Sequence, residues 1–553
     1  MRPSPPAVKT AFRSVAFVLA FVQAWAYRFY IEPDGINYFD IARAYLRHDW
    51  TNALNAYWSP LYSWLVASIQ WTLHPSLYSE STFLHLLNFV LFLLALVAFE
   101  FFFRRALSLI SVLDPQVGDT EGQPEWAWWM LGYTAFLMCT LRLITLGNDT
   151  PDIALAAILF LATGVLIGLA QSDRSTLHYS FLGLILGVGY LAKGVMLPLS
   201  FVYIVAAALA RRGIKRPDPR VLATLVGFLL VSLPFAVALS RAKGRLTFGD
   251  TGKTAYFNQV TPMSLREASS SSLTHHPLRL FDEPPVYIYI TPFTSTYSAW
   301  LDGSYWLEGV KPHFVLRDQL RAIGRGLSGY FQIVSTEKQW IAGWLVLFFL
   351  AGEWRRTLDL IFKVWFIWLP CVAALGLYAL VLVEPRYVAV ALTVMCLTLF
   401  VAVPCSRISA ARNAGVAVAL AVSVTSGIAL VKEGVTNLAV CIRPANHVQW
   451  QVAQGLLKIG LAPGDQVAVL GHTTVADYWA HLAGFRVTAD IPLEDMQSYW
   501  LASSDAREQI ASRLHAHGIK ALVTAGTPPV PENWRSIGDT GYYVQLLGST
   551  NDY

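Results

Sequence analysis

The stretch "YIEPDGINYFDIARAYLRHDW", residues 30–50, sets acids, bases and aromatic rings directly behind an apolar run, Ala11 to Tyr30. A membrane helix needs about 20 apolar residues. The run supplies them and ends in Trp25, Tyr27, Phe29 and Tyr30, rings of the kind that anchor a helix at a bilayer surface. Arg2 and Lys9 precede it and Arg13 stands at its start, as basic residues would in a signal peptide, but no small-residue cleavage site is evident, so it reads as a retained first span. Residues 36–47 then place Ile36, Phe39, Ala42 and Leu46 at helical spacing, which predicts an amphipathic helix along the interface. Asp34, just ahead of that helix, has two readings. It could be an N-cap whose carboxylate satisfies free backbone amides, or a reactive group held at the mouth of the first span.

Composition extends the membrane reading to the whole chain. Of 553 residues, 55% are hydrophobic and 14% charged, with mean hydropathy +0.46, far from the usage of soluble domains. The net charge of +5 fits basic cytoplasmic loops better than a nucleic-acid partner. Cys139, Cys371, Cys396 and Cys405 fall in or beside apolar runs and Cys441 in a polar region, with no paired spacing, so neither a disulfide framework nor a thiolate metal site is expected.

Eleven apolar runs are candidate spans: 11–31, 82–103, 126–146, 153–171, 177–192, 194–210, 221–240, 339–352, 361–382, 387–404 and 416–431. The fifth and sixth, joined by "YLAKG", are short enough to be half-helices meeting inside the membrane. The positive-inside rule checks the count, because "FRR" (103–105), "QSDR" (171–174), "ARRGIKRPDPR" (210–220), "EWRR" (353–356) and "SRISAAR" (406–412) all fall on the side of the N-terminus. The expected architecture is a polytopic α-helical membrane domain, 1–431, with outer loops 31–81 and 241–338, followed by a small extracytoplasmic α/β domain, 432–553. In the latter, "DQVAVLG" and "KALVTAG" read as buried strands and 446–459, 474–484 and 504–517 as helices.

Polar groups crowd the outer connections. The link "LGNDTPDIALAAILFLA" (146–162) brings Asp149 and Asp152 to the start of a span; capping accounts for one carboxylate there and less well for a second. Asp34 and Asp152 face the same compartment under the eleven-span count and could border one cavity. Arg43, Lys193 and Arg386 all fall at outer span boundaries, where together they could hold a phosphate through charge-assisted bonds. Snorkelling for Lys193 and a local pair with Glu384 for Arg386 are the plainer alternatives. Tyr38, Tyr57, Trp58 and Tyr62 are candidates for stacking on sugar or isoprenoid, or for anchoring at the interface. The adjacent His275 and His276 do not share a face in regular structure, so a divalent metal is weakly supported and no cofactor is expected.

"EPDGINYFDIARAYLRHDWTNALNAYWSPLYSWLVA" resembles the first outer loop of the GT-C superfamily of membrane glycosyltransferases, in the group of protein O-mannosyltransferases and aminoarabinose transferases (glycosyltransferase family 39 type). "NDTPDIALAAILFLA", "LGLILGVGYLAKGVMLPLSFVYI", "GRLTFGDTGKTAYF" and "EPRYVAVAL" follow as later landmarks in the same order, over roughly the first 400 residues. The chain departs from the aminoarabinose enzymes in reading "YWSPLY" where they carry Lys-Pro-Pro, and from the mannosyltransferases in having Gly35 after Asp34. The resemblance implies transfer of a sugar from a polyprenyl-phosphate donor to a glycolipid, polysaccharide or protein on the periplasmic face of a bacterial inner membrane. It gives Asp34 the role of the essential first-loop carboxylate, Asp152 that of a second acid near the acceptor, and Arg43 and Lys193 the binding of lipid phosphate. Membrane lipids are the remaining expected partners, and no nucleic acid is. A transporter or flippase of lipid-linked sugars is the alternative; it predicts more mid-span charges and repeat symmetry. A non-catalytic envelope assembly protein is another.

Overall fold

The computed structural model describes residues 5–114, 125–171, 175–211, 216–263, 265–269, 271, 273–311, 313–405, 409–443, 447–472, 477–530 and 533–548. They form two compact units: one of Met1–Arg28, His85–Val237 and Phe314–Arg443, the other of Phe29–Leu84, Ala238–His313 and Pro444–Tyr553.

Each of the eleven apolar runs becomes helix. Among the described residues, six helices are long and apolar enough to cross a membrane: Pro5–Ala26, Glu80–Leu113, Glu125–Ile144, Asp152–Gln171, Val221–Ala242 and Ala410–Ile442. The number rises to eight if two bent pairs each make one span, Leu316–Thr336 with Lys338–Ala351 (72°) and Trp354–Lys363 with Trp365–Ala379 (75°). The eleven-span expectation exceeds this because Thr176–Ala192, Met196–Leu209 and Pro385–Val401 are apolar but short. Two of those are the halves expected at "YLAKG": the chain leaves helix at Lys193, which is extended (φ −156°, ψ 133°), and re-enters at Met196.

In the first unit, helices share lipid-like surroundings, so burial alone gives them little reason to associate and close backbone approach decides the packing. At Gly183 an added Cβ would lie 2.1 Å from the Thr224 carbonyl oxygen, and at Gly227 2.6 Å from that of Ser180, so these two glycines set the crossing of Thr176–Ala192 with Val221–Ala242. Elsewhere aromatic rings fill the core, as where Phe99 meets Phe136 (5.0 Å) and Phe160 (5.4 Å).

The second unit is built on a seven-stranded sheet. Its strands are β1 (Leu278–Phe281), β2 (Val286–Ile288), β3 (Gln466–His472), β4 (Arg486–Pro492), β5 (Ile519–Ala525), β6 (Arg535–Ser536) and β7 (Tyr542–Leu546). The order is β1-β2-β4-β3-β5-β7-β6, with β3 parallel to β4 and β5 and the other pairs antiparallel. The expected strands are β3 and β5, the central parallel pair, which are apolar runs because both faces are covered. Strand β4 carries Thr488 and Asp490 and so breaks the apolar pattern. The three- and four-residue strands of the 241–338 loop are too short to show a period. That loop therefore completes the sheet, and the α/β fold is not confined to 432–553: the unit also holds residues 29–84, and the Ser409–Ile442 helix runs past the expected boundary. Of the expected helices, Val448–Lys458, Trp479–Ala483 and Ser504–Ala516 are present; residues 446 and 474–476 of those expectations lie outside the described ones. Ser503 caps the last helix, accepting from the Ala506 amide at 3.2 Å, and Ile510 and Leu514 carry it onto Ala468, Leu470, Ala489 and Leu522.

Candidate active site

In the first unit, three residues separated by up to 234 positions converge at the start of one helix. Asp152 opens Asp152–Gln171 behind Pro151, where free amides and the helix dipole favour a negative charge. Its carboxylate is 2% exposed. Oδ1 accepts from Lys193 Nζ at 2.5 Å; Oδ2 accepts from Thr150 Oγ1 at 2.9 Å and lies 3.8 Å from Arg386 Nη1. The break at 193–195 makes this possible, because an extended Lys193 reaches sideways where a helical one would stay on its own axis. Both cations also rest on one ring, Lys193 Nζ 3.8 Å and Arg386 Cζ 5.1 Å from the Tyr387 centroid, and Tyr378 stacks behind it at 5.1 Å. The Tyr378 hydroxyl is buried and has no hydrogen-bond partner among the described residues. Sequence reasoning missed Tyr378 and Tyr387, although Tyr387 directly follows Arg386.

The link that carries Asp152 is held under strain. Residues Met138–Ile144 form a π-helix, a distortion frequent at functional sites. Thr145 follows at φ 65°, ψ 142°, a conformation that costs a β-branched residue about 1–3 kcal/mol. Buried side chains hold it in place: Gln23 accepts from the Leu146 amide (3.0 Å), while Asn88 donates to the Leu146 and Asn148 carbonyls (3.1 Å each). Asp149, fully buried, lies 3.5 Å from His85 Nδ1 in the same unit.

The second unit holds the remaining predicted residues. The N-cap of Pro33–Leu46 is Glu32, whose carboxylate accepts from the Asp34 amide at 2.9 Å, so capping is not the task of Asp34. The Asp34 side chain is half-buried in the first turn. Asn37, one turn on along the same face, is 1% exposed, and neither its amide oxygen nor its nitrogen has a partner among the described residues. Nor does this helix lie amphipathically on a surface, since residues on every side of it, from Gly35 to Ala44, are buried. Tyr38 packs edge-on against Trp58 (5.2 Å) and Tyr62 (5.0 Å), and Tyr57 against Trp58 (4.6 Å). Asn55 shapes that turn by accepting from the Tyr57 and Trp58 amides.

Arg43 departs from its expected role. Its Nη2 donates to both oxygens of Glu80 (2.7 and 2.8 Å) and lies 3.2 Å from His481 Nε2, while Nη1 is 3.5 Å from Asp40. His481 in turn lies 2.6 Å from Glu80, and Asp40 accepts from the Thr296 amide at 2.8 Å. Burial disfavours the Arg43 charge, but Glu80 and Asp40 outweigh it and raise its pKa above the ordinary arginine value. A guanidinium already met by two carboxylates is a poor phosphate ligand, and Glu80 and His481, the partners responsible, stand 37 and 438 positions away. The network borders a cavity of about 540 Å³ also lined by Arg47, Asp49, Asn52 and Arg486. His275 pairs with Glu308 at 2.9 Å, and among the described residues no cluster of three or more His, Cys, Asp or Glu side chains could hold a metal ion.

No protein-family model matches the chain, and no curated protein matches it. Solved structures do. ArnT from Cupriavidus metallidurans in the apo state aligns over 98% of this chain and 97% of its own at TM-score 0.54 and 11% identity. The same protein bound to undecaprenyl phosphate aligns over 98% of both chains at TM-score 0.51 and 11% identity. With helices of membrane-spanning length and an α/β unit in one chain, this protein shares the fold of those ArnT structures.

Proposed function

We propose that the protein is an integral membrane glycosyltransferase that moves a hexosyl or pentosyl unit from a polyprenyl-phosphate donor to an extracytoplasmic acceptor. The observation that carries the reading is the pair of cations, Lys193 and Arg386, converging on Asp152 in a chain of this fold. A polyprenyl phosphate leaves as an anion and needs fixed positive charge in place as the bond breaks, more than it needs a proton. Lys193 and Arg386 supply that charge, with Tyr387 beneath them; ArnT, similar in fold, has been solved with undecaprenyl phosphate bound. Asp152 holds the two cations in place until the donor phosphate arrives.

Asp34 is the proposed general base. It accepts the proton of the acceptor hydroxyl as that oxygen bonds to the anomeric carbon and the carbon–phosphate-oxygen bond breaks, so a single displacement inverts the centre. The unpartnered amide of Asn37 supports this placement, because a buried donor and acceptor left unmade gain most from a ligand that bonds them. Asp149 is a proposed substrate contact in the first unit, and Tyr38, Tyr57, Trp58 and Tyr62 are proposed substrate contacts in the second. The working location is a bacterial inner membrane, with the N-terminus cytoplasmic and the reacting face and α/β unit outside. The acceptor is an envelope glycan, lipid or protein.

The test is Asp34→Asn in isolated membranes supplied with a polyprenyl-phosphate sugar. Donor binding should persist while transfer falls about 10²- to 10⁴-fold. Transfer at the wild-type rate would remove Asp34 from the mechanism.

A further inference from the structure

The second unit contains another cavity, of about 400 Å³, which shares no residue with the groups assigned to transfer. That volume lies within the about 300–1,000 Å³ typical of small-molecule sites. Five aromatic residues stand in its lining among aliphatic ones such as Leu273, Leu307 and Val487: Phe257 from the Thr251–Gln259 helix, Tyr289 after β2, Tyr297, Trp300 and Trp306. Their polar tips are tied back to the protein. The Trp306 indole N–H donates to the Ala299 carbonyl at 2.8 Å, the Tyr289 hydroxyl to Asp490 at 2.9 Å, and the Tyr297 hydroxyl to the Asp477 carbonyl. The rings are thus fixed with carbon edges and faces left to line the space, and Trp300, 42% exposed, stands where the cavity opens to water.

Polar atoms in the same wall point to the ligand class. Thr254 is 2% exposed, and neither its hydroxyl nor the buried hydroxyl of Thr261 has a partner among the described residues. Asn258 and Asp490 add an amide and a carboxylate, and no lysine, arginine or histidine is among the described lining residues. An acyl chain would desolvate the Asn258 amide and the Asp490 carboxylate without offering either a hydrogen bond, which costs binding energy. A phosphorylated or acidic ligand would face Asp490 with no cation to receive it, in contrast to the arginine-lined cavity of the same unit. A pyranose answers both demands, since it offers a C–H face to aromatic carbon and a rim of hydroxyls to threonine, asparagine and aspartate.

We propose that this cavity is a binding subsite for a short neutral oligosaccharide, held by the Trp300 and Trp306 rings and by hydrogen bonds to Thr254, Thr261 and Asp490. It goes beyond the transferase reading and does not depend on it, because it requires only recognition.

The experiment uses the full chain in a detergent without a sugar headgroup, with tryptophan fluorescence and calorimetry as readouts. The probes are maltotriose, mannotriose, triacetylchitotriose and, as the apolar competitor, dodecanoate. At least one trisaccharide should bind, and Trp300→Ala should weaken it about tenfold. Thr254→Val should weaken it several-fold while leaving thermal unfolding unchanged or raised, since it removes an unpartnered hydroxyl; this variant keeps the test alive if Trp300→Ala misfolds. Asp34→Asn should bind the trisaccharide like wild type, so loss of transfer and loss of binding are separable. Three results overturn the proposal: no trisaccharide binds, dodecanoate binds in their place, or both cavity variants bind as wild type does.

Discussion

Two clusters of buried charge invite comparison. Around Asp152, two cations meet one carboxylate and share a tyrosine ring; around Arg43, one cation meets Glu80 and Asp40, with His481 between them. From sequence the two arginines and the lysine are alike, basic residues at the outer ends of spans. The structure separates them by their partners. A site with more cations than acids suits an incoming anion, whereas one already neutralised suits a fixed architecture, and breaking it exposes an uncompensated charge.

Replacing the architectural acid should show the larger effect. Glu80→Gln leaves Arg43 with Asp40 alone, at 3.5 Å, and should destabilise the protein by about 3 kcal/mol, read as a lowered unfolding midpoint, with donor affinity preserved in the folded fraction. If Arg43→Met weakened donor binding at unchanged stability, the contrast between the clusters would be broken. Next, Lys193→Met removes a charge-assisted contact worth about 1.5–3 kcal/mol. Apparent donor affinity should therefore fall about 10- to 100-fold, with a lowered unfolding midpoint as well but a smaller drop than in Glu80→Gln, since Asp152 keeps Arg386 at 3.8 Å. Smaller again, Asn37→Ala should cost about tenfold in kcat/KM, because it deletes one hydrogen bond to bound ligand. It should not lower stability, since the amide is unpartnered in the fold; a lowered unfolding midpoint at full activity would make Asn37 structural.

The smallest effect comes from a buried histidine of the second unit whose imidazole faces rings. His447 packs against Phe29 (4.7 Å) and Tyr78 (5.5 Å) and accepts from the Trp450 amide. Burial lowers its pKa from 6.5 to about 4. The unfolded chain therefore binds the proton first, so the stability contribution is complete above pH 6.5 and lost as pH falls toward 4. His447→Asn, which keeps a capping acceptor, should flatten the pH dependence of thermal unfolding in that window; an unchanged slope would assign it to other groups.

These contrasts mark what the sequence could carry. Apolar runs are helices because a bilayer demands internal hydrogen bonding, so the membrane helices were legible one by one, as was the break at Lys193. Asp152, Lys193 and Arg386 were legible as candidates because charge at a span boundary is expensive and calls for a reason. Pairing over long separations was not. Glu80 and His481 look like ordinary loop and helix residues until folding places them on Arg43, and Glu32 shows its cap only once the helix start at Pro33 is fixed. Strands β1 and β2 stayed hidden because three or four residues carry no period, and β4 because Asp490 interrupts its apolar run.

The central claim is that Lys193 and Arg386 receive a departing polyprenyl phosphate. Its most direct test measures release of polyprenyl phosphate from a polyprenyl-phosphate sugar incubated with the purified chain and an envelope extract. The wild-type protein should release it in step with sugar transfer, and a Lys193→Gln/Arg386→Gln double variant that unfolds at the wild-type temperature should release almost none. Release by the double variant at the wild-type rate, or none by the wild type with any envelope fraction, would contradict the claim.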